Sequence, residues 1–385
     1  MSHPAAAIAS RATGALRHDP VLTIAALLAV ASCALVPPDA GYADYVDFRT
    51  LGLLFSLMTV MAGLSRIGVF AAAGNALLAR TRSGTSAVMG LVLLPFVASM
   101  LVTNDVSLIA FVPFALLVLR MLGLEGTSVF TVVMMTIAAN LGSMLTPIGN
   151  PQNLYLFSAS GMGVLDFITL MLPYALLSAA LLVASVLAYG ALHHSLPLKT
   201  ADEKGLASAR ERIGRRALAP WMALFLLCLL AVARVLPVAA LVPVVALAAL
   251  AIDRRALAEV DYGLLLTFVA FFVFVGNIGR LEAVSGLLAS LVGGNELAVS
   301  VAASQVVSNV PAALLLSGFS TAWPALIVGT NLGGLGTLIA SMASLISYKQ
   351  VVESGSGSAG YYLVRFTAAN VAFLAVLVAL ALLLM

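Results

Sequence analysis

The stretch that decides the fold runs from Asn140 to Asn153 and reads NLGSMLTPIGNPQN. It lies inside an apolar run, yet Asn, Thr, Pro, Gly, Asn, Pro, Gln and Asn follow in close succession. Pro147 and Pro151 have no backbone N–H, and each drives the residue before it away from helical geometry. Gly149 adds conformational freedom between them. A helix entering this stretch must break. In hydrocarbon, a broken backbone survives only packed inside protein or lining a polar cavity. The stretch therefore predicts half of a solute-binding site at mid-membrane depth.

Composition fixes the class around it. Hydrophobic residues make up 62% of the 385 and charged residues 9%, against roughly 25% charged in a soluble chain. Apolar runs near the ~20 residues needed to cross a bilayer recur along the whole sequence. The fold class expected is an all-α polytopic membrane protein whose first partner is the lipid bilayer. The short alternating segments of a β-barrel are absent. The net charge of +3 sits between apolar runs, so it concerns topology and not nucleic acid. Cys33 and Cys228 lie in apolar segments as packing residues, and all four histidines flank spans. There is no His/Glu metal spacing, no nucleophile–base pair and no G-x-S-x-G, so neither an enzyme nor a bound cofactor is expected.

The organisation expected is a cytoplasmic lead over 1–19 and a first half over 20–190, with a hairpin at 84–120 and a broken helix at 127–160. A cytoplasmic loop over 191–217 follows. A second half over 218–385 carries a hairpin at 296–320 and a broken helix at 322–350. Loop arginines and lysines put the N-terminus inside and the C-terminus outside, with roughly nine spans and two re-entrant hairpins.

The two halves match in order and in detail. VDFRTLGLLF from Val46 pairs with VDYGLLLTF from Val260, and Gly63 with Arg66 pairs with Gly276 and Arg280. The hairpin tips pair as Thr103-Asn104 with Ser308-Asn309. The breaks pair as Asn140-Leu141-Gly142…Thr146 with Asn331-Leu332-Gly333…Thr337, the same N-L-G-x-x-x-T spacing. An odd number of spans between the paired units inverts the second copy. In that architecture, solute and ion sites lie at the midplane between discontinuous helices.

The groups expected to converge there are neutral oxygens and amides: Thr103, Asn104, Asn140, Thr146, Asn150, Gln152, Asn153, Ser308, Asn309, Asn331, Thr337, Ser341 and Ser344. Half-helix N-termini favour anions, whereas C-terminal ends and loose carbonyls suit sodium. Asp105 is the one acid near mid-depth, where it needs a partner, a proton or a cavity. Its counterpart is Val310, so its role, either proton or cation coupling or a structural cap on hairpin backbone amides, is not duplicated. Arg66 and Arg280 fall near opposite membrane faces, where arginines snorkel. Prolines and extra amides occur only in the first break, so the first half is expected to make most of the specific contacts.

These motifs resemble the ion transporter superfamily, which includes divalent-anion sodium symporters, citrate carriers, arsenite permeases and sodium/proton antiporters. GSMLTPIGNPQN at 142–153 resembles its G-x-x-x-T-x-x-G-x-P-x-N break. TNDVSLIAFVP at 103–113 and SNVPAALLL at 308–316 resemble its hairpin tips. The likeness runs over about residues 46–350 and looks strongest to the YbiR-like anion permeases. It implies an elevator-type carrier, often a homodimer, with solute and sodium ligands at Thr103, Asn104, Gly149, Asn150, Asn153, Ser308 and Asn309. Dicarboxylate members carry Ser-Asn-Thr at both tips, whereas here the tips read TND and SNV. That departure leans toward arsenite-permease or antiporter-like coupling. The function expected is secondary active transport of a small inorganic or organic anion across a bacterial inner membrane, coupled to sodium or protons. Sodium/proton antiport and an anion channel are the alternatives.

Overall fold

A computed structural model describes residues 20–78, 81, 83–193 and 215–385. The lead at 1–19 and most of the 191–217 loop lie outside the described residues. Every regular element among the described residues is helical. The first half holds α1 (Pro20–Leu35), α2 (Phe48–Arg66), α3 (Val69–Leu78), α4 (Gly84–Ala98), α5 (Asn104–Met121), α6 (Ser128–Ser143), α7 (Pro151–Ser160) and α8 (Val164–Leu192). The second holds α9 (Arg215–Val232), α10 (Val238–Asp253), α11 (Tyr262–Gly279), α12 (Glu282–Val292), α13 (Glu296–Val307), α14 (Asn309–Leu316), α15 (Trp323–Leu332), α16 (Met342–Glu353) and α17 (Ala359–Leu384).

Local chemistry places these boundaries. Asp47 caps α2 by accepting from the Thr50 N–H at 3.0 Å, and Asp261 caps α11 by accepting from Leu264 N–H at 2.9 Å. The paired Val-Asp motifs are thus the same helix start used twice. The Pro147–Pro151 stretch breaks α6 from α7. Asn150 caps α7 through the Asn153 N–H at 3.0 Å, with Pro151 at the first helical position.

Packing exchanges elements between the halves. Within each half, the first hairpin arm lies against the helix that enters the break: α4 on α6, and α13 on α15. Helices α5 and α14 bridge the halves, α5 packing on both α6 and α16 and α14 on both α15 and α7. The long helices do the same, with α1 against α11 and α2 against α9 and α10. The halves contiguous in sequence are therefore intertwined in space.

Six helices among the described residues are long and apolar enough to cross a bilayer, and up to seven if the bent α12–α13 pair counts as one span. The roughly nine spans expected from sequence included α1, α9 and α10, which have 16, 18 and 16 residues. A 16-residue helix rises only about 24 Å, less than the ~30 Å hydrocarbon core. Large apolar side chains stay exposed on the outside, among them Leu165, Leu187, Leu247, Val364 and Leu382. In water such a surface would aggregate; in lipid it is the solvated face. The chain is a multi-pass membrane protein.

Arg66 and Arg280 do not merely snorkel. Arg66 pairs with Asp253 and Glu259, both at 2.6 Å, and Arg280 pairs with Asp39 at 2.6 Å. Arg66 ties the C-terminal end of α2 to that of α10 and to Glu259, and Arg280 ties the end of α11 to the loop at Asp39. The Arg280 guanidinium holds the Asp39 carboxyl below its ordinary range.

Candidate solute-binding site

The connections between α4 and α5, α6 and α7, α13 and α14, and α15 and α16 come together. Asn104 begins α5, and its backbone N–H donates to the Gly149 carbonyl at 3.1 Å, tying the hairpin to the break. Its side-chain amide donates to Asn140 Oδ1 at 2.8 Å, and Ser341 Oγ donates to the same oxygen at 3.1 Å. Asn150 Nδ2 donates to Ser143 Oγ at 3.1 Å and to Asn331 Oδ1 at 3.2 Å. Asn331 Nδ2 returns a bond to Asn153 Oδ1, and Asn153 Nδ2 faces the carbonyls of Ser143, Met144 and Thr146. All these asparagines are buried. Ser143 Oγ donates to the Asn140 carbonyl at 2.9 Å, so six of the residues expected at the site form one buried network that joins the halves.

This network changes what those asparagines do. Buried amides need partners, and here they mostly satisfy one another. Asn140 Nδ2, Gln152 Nε2, Ser344 Oγ and Asp105 Oδ1 are buried without a hydrogen-bond partner.

A cavity of about 340 Å³ opens beside the network, lined by Thr103, Asp105, Asn150, Pro151, Met342, Ser65, Glu259, Asp261 and apolar residues of α2 and α5. Thr103 and Asp105 mark the N-terminal end of α5, Asn150 and Pro151 that of α7, and Met342 that of α16. The cavity is thus walled by three helix N-termini, each carrying partial positive charge. A smaller cavity at Asp261 and Met342 reaches Ser308 at the second tip.

The tips themselves differ. Ser308 has φ 75° and ψ 154°, a region that costs a non-glycine residue about 1–3 kcal/mol, whereas Thr103 is ordinary at φ −64°. Asn309 is buried and accepts from Ser308 Oγ at 3.4 Å.

Thr146 and Thr337 take a different role from the asparagines. Thr146 Oγ1 donates to the Met100 carbonyl, and Thr337 Oγ1 donates to the Gln305 carbonyl at 3.1 Å. Met100 and Gln305 each stand three residues before their tip, so the repeated threonine makes the same bond in both halves. Gly142 and Gly333 repeat as well: a Cβ on either would collide with the hairpin arm, at Ser99 and Ser304 respectively. Gly149 has no room either, because a Cβ there would run into the Ser143 carbonyl.

Three contributors were not read from sequence. Gln305 donates to the carbonyls of Gly333 at 2.8 Å and Leu335 at 2.9 Å, and accepts from the Thr337 N–H at 2.9 Å. It holds the second break, which has no prolines to define it. A lone amide three residues before the tip was the available signal. Glu259 and Asp261 reach the cavity from the helix start that the Val-Asp repeat marks, a motif read only as a repeat. Gln305→Ala should cost roughly 2 kcal/mol, because it strands buried backbone groups. A thermal or denaturant melt of the purified protein measures this, and a melt like wild type would mean that the break holds itself.

A multi-pass helical bundle with interrupted helices beside a largely apolar cavity that holds a few polar groups is the architecture of a membrane transporter. Residues 7–323 match the model of the citrate transporter family, CitMHS. The chain belongs to this family, within the superfamily that the break and the tips resemble. The transporter MJ0456 of Methanocaldococcus jannaschii is 33% identical over 299 residues, covering 76% of this chain and 78% of the relative. The inner membrane protein YbiR of Escherichia coli is 30% identical over 310 residues, covering 79% and 80%. The silicon efflux transporter LSI3 of rice is 33% identical over 139 residues, covering 36% and 28%.

Proposed function

We propose that the chain is a secondary active carrier of a small anion or oxyanion, coupled to protons or sodium and working by an elevator motion. The observation that carries this reading is the cavity walled by the N-termini of α5, α7 and α16, with Asp105 among them. Three helix N-termini favour an anion. A charged Asp105 opposes it. An anion therefore enters with a proton on Asp105 or a cation beside it, which is co-transport by electrostatics. The family is named for citrate, itself an oxyanion, which supports the solute class.

In this reading, α4–α5 and α13–α14 are re-entrant hairpins and α6–α7 and α15–α16 are broken helices of an inverted repeat. These elements carry the solute, through Thr103, Asn150 and Ser308 at the cavities and through the free donor of Asn140. The other asparagines, with Thr146, Gly149, Thr337 and Ser341, hold the frame rigid. Helices α1, α2 and α9–α11 form the scaffold. The N-terminus lies in the cytoplasm, the C-terminus outside, and the membrane is the bacterial inner membrane, as the name of the YbiR relative suggests.

Sodium/proton antiport is the second reading. Three carboxylates, of Asp105, Glu259 and Asp261, line the cavity, of which Glu259 is ion-paired with Arg66. Proteoliposome uptake of arsenite, sulfate, phosphate and dicarboxylates, each with and without sodium and pH gradients, separates the two. Saturable, gradient-driven anion uptake is expected. Movement of sodium and protons alone would leave antiport.

A further inference from the structure

At the N-terminal end of α2, two guanidinium groups face one groove and neither meets a carboxylate. Arg49 and Arg234 line a cavity of about 510 Å³ with Phe48, Pro237, Val238 and Val242. Arg49 Nη2 reaches only the Ala231 carbonyl, at 3.4 Å. Arg234 donates to the Gly161 carbonyl at 2.9 Å and lies 5.6 Å from the Phe157 ring centroid. Asp47, two residues before Arg49, spends one oxygen on the Thr50 N–H and the other on the Thr50 hydroxyl. The ion pairs among the described residues use Arg66 and Arg280 instead.

Two like charges sharing a groove repel unless an anion lies between them. The rest of the wall is hydrocarbon, with Phe48 68% exposed on it. We propose that this groove binds an anionic phospholipid, its phosphodiester against Arg49 and Arg234 and its acyl chains along Phe48, Val238 and Val242. The groove lies where α2 begins and the α9–α10 connection turns, so helix ends and lipid headgroups share its depth. Guanidinium forks match phosphate oxygens in geometry as well as charge. The apolar wall suits a chain-bearing anion and gives a free hydrated one nothing. A second copy of the chain seated here about a two-fold axis would bring the same arginines together.

Native mass spectrometry tests this on the purified protein in equal amounts of dioleoyl-phosphatidylglycerol and dioleoyl-phosphatidylcholine. Wild type should retain phosphatidylglycerol selectively. The double variant R49Q/R234Q should lose that preference roughly thirtyfold, since each basic residue near a lipid surface contributes about a fivefold preference. R254Q, which removes a charge at the opposite end of α10, should keep it. Equal retention of both lipids, or unchanged retention by R49Q/R234Q, overturns the proposal. So does displacement of the lipid by millimolar inorganic phosphate, which would mark a site for a free anion, or loss of a dimer in the double variant, which would mark a protein interface. Should the double variant fail to fold, R49Q and R49K read the same ratio, with loss expected in the first and retention in the second.

Discussion

Asp105→Asn is expected to abolish coupling while leaving the protein folded. Gradient-driven uptake in proteoliposomes should fall about a hundredfold, within the range that a coupling energy of 1–3 kcal/mol allows. The reason lies in what surrounds the carboxyl. Asp105 stands in the first turn of α5, lines the central cavity, and has one buried oxygen without a partner. An unpaired carboxylate at that depth is costly, and under the proposed coupling a proton or a cation occupies it for much of the cycle. The amide keeps the shape and removes the exchangeable charge. A neutral amide is also cheaper to bury than an ion, so the variant should melt near wild type. Solute exchange without a gradient should persist, because the helix N-termini remain. Uptake at the wild-type rate, with unchanged dependence on pH and sodium, would remove Asp105 from the mechanism.

Gly149→Ala should produce the second large effect, this time on the fold. The added Cβ meets the carbonyl, carbonyl carbon and Cα of Ser143, all backbone. Neither side can yield by rotating a side chain. Overpacking of this kind costs about 1–3 kcal/mol and at times more. Here the strain spreads, because the Gly149 carbonyl accepts from Asn104 and its neighbour Asn150 bridges to Asn331. A loss of about 3 kcal/mol is expected, with transport lost in whatever protein survives purification. Gly126→Ala is the control, since a Cβ there meets nothing within 4 Å. If both variants melt together with wild type, the break is not the rigid clasp its hydrogen bonds describe.

Much of this was legible in the sequence because membrane burial makes punctuation conspicuous. Prolines, asparagines and glycines inside apolar runs have few explanations in hydrocarbon. The pairing of Asn140–Thr146 with Asn331–Thr337 proved to be a pairing of contacts, since both threonines bond a carbonyl three residues before a hairpin tip. What stayed hidden was the direction in which each polar atom is spent. An asparagine that ligates a solute and one that clasps another asparagine look identical in a sequence. Gln305 was hidden for a related reason: the carbonyls and the N–H it binds lie more than twenty residues away.

The amino-acid sequence by itself pointed to the solvent, the all-helical class and the interruption at Asn140–Asn153, while its roughly nine spans exceed the six or seven among the described residues. The first three follow from local chemistry, namely which residues tolerate hydrocarbon, which lack an N–H, and which cap a helix. Only the tertiary structure decided that α5 and α14 bridge the halves, and that Asn150 and Asn153 meet Asn331 and Asn140 meets Ser341. It also decided that three helix N-termini and Asp105 share one cavity. The physical reason is distance along the chain. Hydrogen bonds between residues some 180 positions apart, and the summed field of helix ends, exist only once the chain has closed on itself.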